Sequence, residues 1–424
     1  MRLLLLLTLL PLLAVAEEEY ELPPIRYSAT QPKDVVQDLL RRMQVGKAQV
    51  NRTDTWTLLR DLLKHFHIPE ESQVLVFSKT SKQNDRITPQ TPRVIYFGEE
   101  AYVGYTLGGS IEVAAVDPHL GPIFYLLEPE TEPEKPLQFH RDQSCMSCHG
   151  GPFTPGVPGV LVRSVFPSAS GHPILSQGST VVDSTTPFSN RWGGWYVTGK
   201  HGSALHRGNV IATENADNTC DMPQEQGANI TSLTNFFDTR PYPRASSDIV
   251  ALMVLEHQTA TQNVLTKAHH TALRALHMQH SLQKELGEPV QPQPVGTAQR
   301  IISHSAEDVL DALLFKDEAE LPEGGIEGDE AFQAAFAQEA PRSADGRSLK
   351  DFQLLNRLFK YRCSYMIHSR TFTQMQPHLK QAVLTRLEAI LKGEDTSERY
   401  DYLGESERKH IRTILVETLK TSTK

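Results

Sequence analysis

Near residue 245 the apolar residues of this chain change their spacing, and the two periods require different architectures. Upstream, VLVFS at 74–78, RVIYFG at 93–98, AYVGYT at 101–106, SIEVAAVD at 110–117 and PIFYLL at 122–127 are short and rich in β-branched and aromatic side chains. Gly, Pro and Asp separate them, as expected of strands joined by turns. GVLVRSVF at 159–166, STVVDST at 179–185 and GGWYVTGK at 193–200 continue the pattern. Downstream, IVALMVLEHQTATQNVLTKAHHTALRAL runs from Ile249 without a breaker behind Ser246-Ser247-Asp248, a good N-cap region. PVQPQPVG at 289–296 ends it, and residues 317–330 read as an acidic Gly/Pro loop. Helical spacing recurs at Leu349–Ile367, Gln376–Leu391 and Glu405–Leu419, and also before the strands, from Pro32 to His67. The expected fold class is α+β: a β-rich first half, residues 17–245 with N-terminal helices, followed by a mostly α-helical second half, residues 246–424. No internal repeat is present.

Residues 1–16, MRLLLLLTLLPLLAVA, combine one positive charge, a short apolar run and a small-x-small ending at Ala14-Val15-Ala16. This is the pattern of a secretory signal, too short to span a bilayer comfortably, and it implies a periplasmic protein. No later stretch is long and apolar enough to cross a membrane, so no integral membrane segment is expected after its removal. The chain has 42 Lys and Arg against 51 Asp and Glu, a net charge of −9 that becomes −10 when Arg2 leaves with the signal. An acidic chain without a basic block excludes nucleic acid as a partner and suits a redox partner protein with a basic docking surface. The 4 cysteines are too few for a disulfide scaffold. Cys220 and Cys363 are isolated, and either a bridge between them or two free thiols is open.

The other two cysteines stand in FHRDQSCMSCHGGP at 139–152. Cys145 and Cys148, two residues apart, can reach the two vinyl groups on one edge of a haem, while His149 turns its imidazole onto the iron. The glycines that follow allow the backbone to pass close to a flat ring. A structural zinc site wants a second Cys/His pair, and none follows at similar spacing. A thioredoxin-like dithiol belongs at a helix N-terminus after a strand, which Gly150, Gly151 and Pro152 fit poorly. Cys145-Met-Ser-Cys148-His149 resembles the attachment site of c-type cytochromes. That resemblance implies one covalently bound haem c with its iron, held by Cys145, Cys148 and His149, and redox function in residues 17–245. The chain is about four times longer than a small cytochrome c and surrounds the motif with strands, so it looks more like the large exported bacterial cytochrome c-like proteins, a likeness that supplies no activity.

The face of the iron opposite His149 decides between carrier and catalyst. RWGGWYVTGKHGSALHRGN at 191–209 places His201 and His206 in a Gly-interrupted segment beside Trp192, Trp195 and Tyr196, and these two are the candidate distal metal ligands. His257 on the long helix reads as a core group, His140 is tethered too near the motif, and Met222 is the most plausible methionine. His277 and His280 lack a third ligand, and Arg163 and Arg191 are candidates to meet haem propionates. The leading expectation is an exported monohaem c-type cytochrome that transfers electrons. The alternative is a haem c-dependent redox enzyme, a peroxidase or small-molecule dehydrogenase, with an open or weakly ligated distal site. A structural metal-binding protein is the third reading.

Overall fold

The computed structural model describes residues 18–129, 135–395 and 397–419, so the signal-like segment 1–16 lies outside the described residues. The fold is α+β, strands first and helices second. Strands β1 (Val74–Val76), β2 (Arg93–Phe97), β3 (Ala101–Tyr105), β4 (Ile111–Asp117), β5 (Gly121–Leu127), β6 (His140–Arg141) and, after β7 (Val162–Val165) and β8 (Ser179–Val182), β9 (Trp195–Tyr196) include seven that form one antiparallel sheet. Its order is β6-β5-β4-β3-β2-β1-β9, a meander with β9 returning to the far edge, while β7 and β8 pair separately. All five strand-like runs from 74 to 127 form strands, whereas GGWYVTGK supplies only the two residues of β9.

Alternation along the strands divides the sheet into two apolar faces. Leu75, Val94, Tyr96, Val103, Ile111, Val113 and Tyr125 share a core with α1 (Val35–Gln44) and α2 (Thr55–His65). Asp34 and Asp54 cap these helices, accepting from Gln37 N at 2.9 Å and Trp56 N at 2.9 Å. The other face, with Val74, Val76, Phe97, Tyr102 and Val116, packs against the helical half in a single core. The boundary near 245 is therefore a change of secondary structure across which the core is continuous.

Between the motif helix α3 (Met146–His149) and the C-terminus lie α4 (Ile249–Glu285), α5 (Gly296–Leu313), α6 (Glu330–Ala337), α7 (Arg370–Thr373), α8 (Pro377–Lys392) and α9 (Glu405–Thr418). Among the described residues no helix is long and apolar enough to cross a membrane. Asp248 caps α4 through Ala251 N at 2.9 Å, within the expected N-cap region. Every residue from Ile249 to Thr259 is buried, so this segment carries no solvent face. The expected helix at Leu349–Ile367 does not form. Instead the Gln353 side-chain oxygen accepts from the amides of Asn356 (3.1 Å) and Arg357 (3.2 Å), closing a turn with Leu354 at φ 59°. Phe352, Phe359 and Tyr365 then gather as an aromatic cluster, which supplies the apolar residues that had helical spacing.

Buried polar groups fasten α4 to its neighbours. Glu256 accepts from Arg191 at 2.7 Å and from the Trp192 indole, with all three buried. Burial pushes the Glu256 carboxyl up to about 7, against the pull of Arg191. Gln376 N donates to His269 Nδ1 at 2.9 Å, and the His269 Nε2–H faces His119 Nδ1 at 3.3 Å. His270 donates to the carbonyl of His119 at 3.0 Å.

Two predictions concern these contacts. Glu256→Ala leaves the Arg191 charge buried without a partner and lowers stability by about 3–5 kcal/mol in urea unfolding. An unchanged midpoint contradicts the assignment. Desolvation pushes His269 and His270 down to about 3 and about 4 from an ordinary value of 6.5. The unfolded chain therefore takes up protons first, and this contribution is complete above pH 6.5 and is lost as pH falls toward 4. The buried carboxyls of Asp248 and Glu256, raised to about 6 and about 7, offset part of that loss. His269→Gln is expected to lose less stability between pH 7 and 5 than the parent chain; an equal loss refutes the role of His269.

Candidate functional site

The motif begins where the sheet ends. After β6, Asp142 accepts from Ser144 N at 3.0 Å and caps a tight turn over Gln143–Cys145 that continues into α3. In one continuous helical turn, positions i, i+3 and i+4 share a face, and these are Cys145, Cys148 and His149. Both thiols are free, Cys148 exposed and Cys145 half-buried. Gly150 closes the turn where a Cβ would collide with Met146 and the Tyr20 hydroxyl.

His149 is fixed on two sides. Its ring lies on Phe124 of β5, centroids 4.6 Å apart at 36°. Its Nδ1–H donates to the carbonyl of Gly159 at 2.8 Å, and Gly159 N donates back to the His149 carbonyl at 2.9 Å. This reciprocal pair closes the loop 150–158, and Asn263 of α4 secures its exit by donating to Val160 O at 2.9 Å. Gly159 is required here, because any Cβ would strike the Asn263 amide. Burial pushes the His149 imidazole below its ordinary value, so it is neutral near pH 7. With the proton held on Nδ1, Nε2 carries the lone pair.

The thiols are not activated. Burial, with the charges of Asp142 and Glu112, pushes Cys145 up to about 11, the reverse of what a dithiol oxidoreductase needs. Lys82 pairs with Asp142 and donates to Ser144 at 2.9 Å, and Arg93 pairs with Glu112 across Gly104 on the adjoining sheet face.

His201 and His206 stand together, ring centroids 4.7 Å apart, walled by Phe188, with Trp192 against His206. Neither presents a free lone pair. His201 Nδ1–H donates to Ala204 O at 2.8 Å and its Nε2 accepts from Asn229 N at 3.0 Å. His206 Nδ1 accepts from Gly208 N at 3.0 Å, which places the proton on Nε2, where it is buried without a partner. Burial holds His206 down at about 3. The pair is built as hydrogen-bonding groups, with one unused donor.

The remaining candidates separate clearly. His257 donates or accepts at Ser364 Oγ, 2.7 Å away, and stacks on Phe315 as a core group. Arg191, expected to be open to a propionate, is occupied by Glu256 and by the carbonyl of Thr186 at 2.7 Å. Arg163 bonds Ser179 at 2.9 Å and lies over the Phe153 ring. His280 is held by Gln291 O at 3.0 Å and forms no metal group with His277. Cys220 and Cys363 are both free, the second completely buried, so they form no bridge. Phe124, Gly159 and Asn263, which orient His149, carry no signal in the sequence alone beyond the glycine.

No protein-family model, no curated protein and no solved structure matches the chain. The resemblance to c-type cytochromes is corrected accordingly. Among the described residues no three or more His, Cys, Asp or Glu side chains gather where they could hold a metal ion, so Cys145, Cys148 and His149 do not join His201 and His206 in one centre. The motif emerges from the edge strand of an antiparallel sheet, not from the N-terminal helix of a small helical fold. The likeness is confined to five residues, and the chain is not placed in that family or among the large cytochrome c-like proteins.

The thiol environments predict an order of reaction in chain prepared without any cofactor. Exposed Cys148 is alkylated first by a maleimide at pH 7, Cys145 more slowly, and Cys363 only after unfolding, as mapped by peptide mass spectrometry. Labelling of Cys363 before Cys148 contradicts the structure.

Proposed function

We propose that residues 145–149 hold one covalently attached haem, with His149 Nε2 as an axial nitrogen, and that the exported protein passes electrons to and from a redox partner. The observation that carries this reading is the 2.8 Å hydrogen bond from His149 Nδ1–H to Gly159 O, which leaves a neutral ring with Nε2 unprotonated. Two free thiols on the same helical face supply the attachment points. A structural metal ion lacks a ligand set among the described residues, and an unactivated Cys145 argues against dithiol exchange. A haem bound here supplies one-electron iron chemistry whose potential depends on axial ligation, burial and hydrogen bonding. The chain's own contribution is positional. Phe124 sets the plane of the imidazole, Gly159 fixes its tautomer, and Asn263 holds the loop that carries Gly159 in place. Residues 1–16 serve this reading as an export signal to the periplasm, and the acidic surface favours a partner with a basic docking face.

A second reading, a haem-dependent redox enzyme, is favoured by the buried Nε2–H of His206, a donor with no acceptor in an aromatic enclosure. Such a donor suits a bound oxygen-containing substrate more than iron ligation.

Protein exported from cells equipped for haem attachment is expected to retain a reduced haem band after denaturation, and Cys145→Ala/Cys148→Ala is expected to lose it. Chain that matures without covalent haem refutes the proposal. Inertness of the reduced protein to carbon monoxide supports the carrier, and rapid binding supports the enzyme.

A further inference from the structure

A cleft of about 990 Å³ opens between α4, α5 and the turn at Asp183–Thr185, on residues that take no part in the motif. Its volume is that of a site for a substantial organic ligand. The apolar part of its lining comes from Ala260, Val264 and Ala268 of α4 and Ile301 and Ala312 of α5. Small side chains on both helices keep it open.

The charges lining it are of two kinds. Most of the acidic groups are already engaged: Asp311 by Arg399, Asp317 by Lys316, and Asp183 by the hydroxyls of Thr185 and Thr186. The basic groups are not. Lys267 and His304 have no hydrogen-bond or ion-pair partner, and Arg300 bonds only the hydroxyl of Thr297, at 3.3 Å. On α5, Arg300, His304 and Asp308 fall at i, i+4 and i+8, so they follow one another along a single face. The one acidic group without a partner, Asp308, stands about 12 Å beyond Arg300 at 1.5 Å per residue. Positive charge is thus concentrated at one end of an apolar trough.

We propose that this cleft binds an elongated amphipathic organic anion, its carboxylate on Arg300 and Lys267 and its hydrocarbon body along Val264, Ala268 and Ile301. Arginine offers a carboxylate two parallel donors and lysine a point charge, while the trough removes the chain from water. Both basic residues are exposed, so replacing them leaves the core intact.

Titration calorimetry of the full chain with laurate tests this. Saturable binding at or below about 1 mM is expected, weakened about tenfold by Lys267→Gln or by Arg300→Gln, each of which removes a charged hydrogen bond. Val264→Phe, which fills the trough, is expected to abolish it, and dodecanol to bind about tenfold more weakly than laurate. Absence of binding at 1 mM, equal affinity for dodecanol, or undiminished affinity in Val264→Phe overturns the proposal.

Discussion

Each functional segment of this protein is held by hydrogen bonds from one buried helix. α4 passes through the core with no solvent face over its first three turns, yet it carries Glu256, Gln258, Gln262, Asn263, His269 and His270 as buried polar residues. Unpaired, each would carry a desolvation penalty of about 1–3 kcal/mol, more for the charged one. Paired, each fixes a different neighbour. Glu256 holds the segment that leads to His201 and His206, through Arg191 and Trp192. Gln258 reaches Gly98 O at 2.8 Å on the sheet, and Gln262 reaches Thr371 at 3.0 Å on α7. Asn263 holds the loop behind the motif, and the histidine pair joins the β4–β5 turn to the start of α8.

This arrangement accounts for the rigidity of the motif. Four residues of helix cannot hold their own shape in water. α3 holds because β5 presents Phe124 beneath it, Asp142 caps the turn before it, and Gly159, fastened by α4, clamps His149 from above. The tautomer of His149 follows from a backbone carbonyl twenty residues away from any strand of the main sheet on the C-terminal side, and that carbonyl is placed by the helical half. The two halves act on one imidazole.

The sequence marks period and punctuation well, and those determine the fold class. Strands β1 to β5 and helices α4, α8 and α9 were readable because their apolar residues repeat at 2 or 3.6 and their ends carry caps or breakers. The helix expected at Leu349–Ile367 fails because its apolar residues serve an aromatic cluster around Phe359, while Gln353 takes over the backbone amides. α5 carried no marked start signal; its N-cap is Val295 and no side chain caps it. For the site, Cys145, Cys148 and His149 could be named from spacing alone. Their support could not, since Phe124, Gly159 and Asn263 meet them only through tertiary contacts. The reading of His201 and His206 as ligands went wrong on hydrogen bonding: Asn229 N and Gly208 N occupy the lone pairs that ligation needs.

The central claim is that the fold presets His149 to offer Nε2. Long-range proton–nitrogen correlation of ¹⁵N-histidine-labelled chain, without cofactor at pH 7, reads this directly. The account predicts a neutral His149 with its proton on Nδ1 and an unprotonated Nε2, and the same spectrum in Cys145→Ala/Cys148→Ala. An imidazolium, or a proton on Nε2, contradicts it.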